Sequence, residues 1–121
     1  MELNLTLSDD ERHACRRAAV LLRALSTGLA DIATRHESDT CAGYAATLDR
    51  IVASGACCAV SPDGKVDVEQ ASFILEGIRD GLDNADLDEG ADFIQRDIES
   101  LNDIVFRYNS AAGGNVPSTG A

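Results

Sequence analysis

The opening residues MELNLTL alternate apolar and polar side chains, with Leu3, Leu5 and Leu7 on one side. A period of two predicts a short strand with one buried face. From Ser8 the period lengthens. Ala14, Ala18, Leu21, Leu25, Leu29 and Ile32 recur at steps of three and four, which predicts an amphipathic helix running to about Arg35. Ser8 and Glu11 have the spacing of a capping box, in which each side chain serves the other's backbone amide. Ser26, Thr27 and Gly28 weaken the middle of this helix.

After HESDT, Ser38 or Asp39 can cap a second helix, whose apolar face is Cys41, Tyr44, Ala45, Leu48, Ile51 and Val52; Gly55 suits its end. CCAV and KVDV flank Pro62, Asp63 and Gly64, residues that favour a tight turn, so this stretch reads as a β-hairpin. Asp67 would then cap a third helix, with Gln70 completing its box. That helix carries Ala71, Ile74, Leu75, Ile78 and Leu82. A fourth, from about Asp88, carries Ile94, Ile98, Leu101, Val105 and Tyr108, widened by Phe93 and Ile104.

Four amphipathic helices with short connections predict a mainly α fold: an antiparallel four-helix bundle. A short N-terminal strand and a small β-hairpin between helices 2 and 3 would decorate it. Residues 1–110 form one domain in this reading, and AAGGNVPSTGA at 111–121 is a disordered tail.

Composition supports helices. Of 121 residues, 29 are Leu, Ile, Val or Phe and 18 are Ala, whereas aromatics number only three Phe and two Tyr. No run of apolar residues is long enough to span a bilayer, so no membrane association is expected. The acidic start lacks a signal-type apolar core, which gives a cytoplasmic expectation.

Charge changes the picture more. The net charge is −11, and it is lopsided: −2 over residues 1–60 and −9 over 61–121. Every acid of the second half lies between Asp63 and Asp103. Such a surface repels nucleic acid and attracts a basic protein partner. The predicted partner-binding residues are Glu76, Asp80, Asp83, Asp92, Asp97, Glu99 and Asp103, at near-helical spacing with few cations between them. The expected function is a non-catalytic protein–protein interaction or regulatory module; the alternative is an acidic inhibitor mimicking nucleic acid in the basic channel of another protein.

Other chemistry finds little footing. SPDGKVDVEQASFIL resembles the second half of an EF-hand loop and its exiting helix, with Ser61 and Asp63 as oxygen ligands and Gly64 at the sharp turn. Ala59 and Gln70 occupy the first ligand position and the bidentate glutamate position, and calcium needs six to eight hard oxygens. Cys15, Cys41, Cys57 and Cys58 contain no C-x-x-C pair, and His13 and His36 fall at opposite ends of one helix. No phosphate loop, nucleophile elbow or H-E-x-x-H is present, so no enzyme, metal or cofactor is expected. Gly77 and Gly81 lie four apart inside the third helix, which predicts close approach of a neighbouring helix, or of a second copy in a homodimer.

Overall fold

The computed structural model describes residues 2–32, 35–53 and 55–113, with no account of the side chains of 29–36 or 113. Along the chain run β1 (Leu3–Thr6), α1 (Asp9–Ile32), α2 (Arg35–Val52), β2 (Cys57–Val60), α3 (Pro62–Asn84) and α4 (Asp88–Gly113). The protein is a mainly helical four-helix bundle with a two-stranded antiparallel sheet.

Cross-helix bonds set the directions. Arg17 meets Asp97 and Arg107 meets Glu11; Ser72 meets Asn102 and Arg79 meets Gln95. In each set the number falls on one helix as it rises on the other, so α4 runs antiparallel to both α1 and α3. The core is small and aliphatic. Leu22, Leu48, Val68, Leu75, Leu101 and Ile104 are fully enclosed, with alanines 14, 18, 19, 45 and 71 letting the helices approach. The centre of the α1 stripe falls on Cys15, Ala18, Ala19 and Leu22, while Leu21 and Leu25 sit at its edge.

The capping box is present as expected. The Ser8 amide donates to Glu11 Oε1 at 2.8 Å and the Glu11 amide donates to Ser8 Oγ at 3.1 Å. The start of α2 differs from expectation, since Ser38 lies inside the helix. Its hydroxyl donates to the Ser26 carbonyl and the Ser26 hydroxyl donates to the Ser38 carbonyl, both at 2.8 Å. This reciprocal pair joins α1 to α2 near their connection.

The hairpin expectation is overturned. CCAV forms β2, but its partner is β1, in the register Leu3 to Val60 and Leu5 to Cys58. Pairing this way sends Leu5, Cys58 and Val60 into the core and leaves Asn4, Thr6, Cys57 and Ala59 outside. KVDV is helical. Ser61 is the N-cap of α3, its hydroxyl accepting from the Gly64 amide at 2.9 Å, and Pro62 stands in the first turn, where its missing amide costs nothing. Asp67, expected as the cap, is one turn inside and accepts from Thr47 Oγ1 of α2 at 2.6 Å.

The other end of α3 closes on Asp86, the one described non-glycine residue with positive φ, at 62°. The Leu87 amide reaches the Leu82 carbonyl at 2.9 Å and the Asp86 amide the Asp83 carbonyl at 3.0 Å. These bonds form a Schellman closure with aspartate where glycine is usual. Two further expectations change. Nothing lies within 4 Å of a methyl group built on Gly77 or Gly81, so neither admits a neighbouring helix of the chain. The α4 helix extends through Gly113, so residues 111–113 are not a disordered tail; residues 114–121 lie outside the described residues. Among the described residues no helix is long and apolar enough to cross a membrane.

Candidate interaction surface

The predicted acids do not share one environment. Asp97 is the exception that matters. Its residue is 1% exposed, and Arg17 of α1 holds it through Nε to both carboxylate oxygens, at 3.2 and 3.0 Å, and Nη2 to Oδ1 at 2.6 Å. The hydrogen bonds to Asp97 raise the Arg17 pKa above its already high ordinary value, against the effect of burial. Asp97 therefore leaves the predicted partner-binding face. Its position on the α1 side of α4 put it in the apolar stripe's border, where sequence spacing alone cannot separate a solvated acid from a paired one.

The remaining acids are on the outside, partly neutralised. Asp80 accepts from Arg79 Nε and Nη2 at 3.1 and 2.9 Å. Asp103 pairs with Arg107 Nε at 3.2 Å, one turn along α4. Glu99 accepts from Gln95 Nε2 at 3.0 Å. Asp83 and Asp92 are exposed and have no partner among the described residues, and Glu76 is half-buried and likewise unpaired.

What the structure does assemble is an acidic corner. From Asp80 to Asp92 the chain carries Asp80, Asp83, Asp86, Asp88, Glu89 and Asp92 with no Lys or Arg among them, and all six are exposed. Asp88 and Glu89 sit favourably at the N-terminus of α4. Asp80 and Asp83 sit in the last turns of α3, where the helix dipole opposes them and no basic residue compensates within the last turn. Helix stability alone does not select that arrangement.

Sequence spacing missed the aromatics. All three phenylalanines point outward: Phe73 is 70% exposed, Phe106 69% and Phe93 50%. Phe93, expected to widen the core stripe of α4, lies instead under Arg17, whose guanidinium carbon is 5.0 Å from its ring centre. The core closes without any of them, Tyr108 being its single buried aromatic ring.

Among the described residues three concave regions border α4; one, about 460 Å³, is lined chiefly by Val20, Leu21, Leu82, Phe93 and Ile94. Of the two others, which carry predicted acids, the larger, about 940 Å³, lies between α4 and the start of α1. It gathers Arg17, Arg96 and Arg107 with Glu11, Asp97 and Asp103, charges that largely pair with one another: Arg107 also donates to the Thr6 carbonyl at 2.6 Å and to Glu11 at 2.5 Å. The second, about 390 Å³, lies between α3 and α4 and is lined by Phe73, Phe106, Val105, Glu69 and Glu76, with no cation. Among the described residues no three His, Cys, Asp or Glu side chains gather as metal donors. Searches of protein-family models, curated proteins and solved structures find no match to the chain.

Proposed function

We propose that this protein is a non-catalytic interaction module whose α3–α4 side binds a basic partner protein in the cytoplasm. The observation that carries this reading is the acidic corner from Asp80 to Asp92, six exposed carboxylates of which only Asp80 is held by an arginine, Arg79, among the described residues. A field of that sign speeds encounter with a basic surface and is screened over about 8 Å at physiological salt. Nucleic-acid mimicry has less support. It needs an unbroken row of exposed carboxylates, and the row is interrupted by buried Asp97 and by the pairing of Asp80 and Asp103.

The test is capture of partners on the immobilised chain from its native source, followed by binding kinetics with the purified partner. Reversal of Asp83 and Asp92 to Lys should weaken binding about tenfold, mainly by slowing association, while helicity stays unchanged. A partner that binds the reversed chain equally well, with no salt dependence, defeats the proposal.

A further inference from the structure

The α3–α4 groove is built from two matching stripes. Its lining residues on α3, from Glu69 to Glu76, and on α4, from Asn102 to Asn109, each follow the spacing i, i+3, i+4, i+7. Two antiparallel helices thus present about two turns apiece to the same trough. Ser72 donates to Asn102 Oδ1 at 2.7 Å across the junction, which holds the helices together there. Phe73 and Phe106 rise from the two sides with about 70% of each residue in water. Two phenylalanines this exposed beside one trough suit an interaction surface, because buried aromatics dominate the binding energy of such surfaces.

We propose that this groove docks a basic amphipathic helix, which lays its apolar stripe between Phe73 and Phe106 and sets Lys or Arg against Glu69 and Glu76. The occupant follows from charge. Glu69 and Glu76 line the trough two helical turns apart, and among the described residues no cation lines it and Glu76 has no partner. Among the described residues the only cation bonded to Glu69 is Lys65 of its own helix, at 3.3 Å. A second copy of the chain would bring the same two glutamates against these. Residues 114–121 contain no Lys or Arg and a single large apolar residue, Val116, so this chain's own end is a poor occupant by composition. A helix suits the trough because a third helix can insert its ridge where two already pack.

The inference rests on the reading of the protein as a binder of a basic partner, and the test separates the two. The probe is a fluorescein-labelled amphipathic helix of Lys and Leu, about 14 residues or four turns long. Controls are the same design with Glu for Lys and with Ser for Leu. Anisotropy titration of the full chain should show saturable binding of the Lys/Leu helix alone. Phe73→Ala with Phe106→Ala should weaken it at least about tenfold, and Glu69→Gln with Glu76→Gln should weaken it and flatten its salt dependence. Amide shifts should centre on Phe73, Glu76, Phe106 and Asn109. Both phenylalanines are outside the core, so the variants keep their helicity, which circular dichroism verifies.

Undiminished binding to the double Ala variant, with shifts at Asp83 to Asp92, overturns the groove but leaves the basic-partner reading standing. Absence of any binding by the Lys/Leu helix overturns the groove proposal, whereas the basic-partner reading falls only if the captured partner binds the charge-reversed chain equally well. Equal binding of the Glu/Leu helix overturns the charge argument, and with it the proposal. So does a dimer in sedimentation that Phe73→Ala and Phe106→Ala dissolve, because the occupant is then a second copy.

Discussion

Arg17 and Asp97 form a lopsided ion pair: the carboxylate is enclosed, whereas 43% of the arginine side chain remains in water. The pair ties α1 to α4 outside the α3–α4 groove, whose lining includes neither residue. Removing one partner from a buried pair is costly when it strands the other charge away from solvent. Only Asp97 is strandable here. Arg17→Ala should therefore destabilise by about 3 kcal/mol, while Asp97→Ala should cost about 1–2 kcal/mol because Arg17 can turn to water. Urea unfolding of both variants checks the order, and a reversed order contradicts it.

Glycine and aspartate are each misplaced for helix stability in α3. Gly77 and Gly81 occupy helical interior with open space around a prospective methyl group, whereas Asp86 holds the left-handed position where glycine is comfortable. Gly77→Ala and Gly81→Ala should each stabilise by about 0.5–1 kcal/mol, and Asp86→Gly by a similar amount. Thermal unfolding of the three variants measures this. If either alanine variant instead loses stability at high protein concentration only, the glycine face is a contact between copies.

The four helices were legible because each repeats its apolar residues over three turns or more. Ile94, Ile98, Leu101 and Tyr108 are buried as their spacing implies. The α3 start was not, because Ser-Pro-Asp-Gly serves two structures with the same letters. Pro62 and Gly64 suit a turn, but Ser61 at an N-cap with proline following suits a helix equally well. What decides is a long-range fact, the pairing of β2 with β1 over fifty residues away. The partner-binding face was only half legible for a related reason. Charge counting finds the acidic corner, yet it cannot see that Asp97 faces Arg17 or that Phe73 and Phe106 face water. Phe73 and Phe106 stand two residues past Ala71 and Ile104, off the buried stripes of α3 and α4, whereas Phe93 directly precedes buried Ile94 at the edge of its stripe.

Cys15 predicts a pH response. Burial, with smaller contributions from Cys58 and Glu11, pushes its thiol from 9.0 up to about 12. The neutral thiol is thus favoured in the folded chain. Between pH 9 and 12 the unfolded chain binds fewer protons than the folded one, so stability falls as pH rises; below pH 9 the contribution is complete and flat. The slope approaches about 1.4 kcal/mol per pH unit for one such group. Cys41 and Cys58 are shifted upward too and add in the same direction. Urea unfolding at pH 8 through 10.5 should show a shallower decline for Cys15→Ala than for the natural chain. In native protein a thiol reagent should modify exposed Cys57 first and leave Cys15 untouched until unfolding.

The corrected start of α3 can be tested through the coupling of Ser61 and Gly64. As N-cap, Ser61 offers its hydroxyl to the Gly64 amide, so Ser61→Ala should cost about 1 kcal/mol. Gly64 is inside the helix, where alanine is ordinarily better by up to about 1 kcal/mol. A methyl group there would meet Ser61 Oγ at 3.2 Å, tight enough to push the cap off its amide. Gly64→Ala alone should therefore yield little or no stabilisation. The next neighbours, Val60 Cγ1 at 3.8 Å and Thr47 Cγ2 at 3.9 Å, are at ordinary contact distance. Once Ser61 is Ala the crowding atom is gone, and Gly64→Ala in that background should stabilise the helix. The double-mutant cycle should thus give a coupling of at least about 0.5 kcal/mol, favouring the two alanines together. Strict additivity contradicts the cap, because residues 61 and 64 of a hairpin turn have no such shared contact to lose.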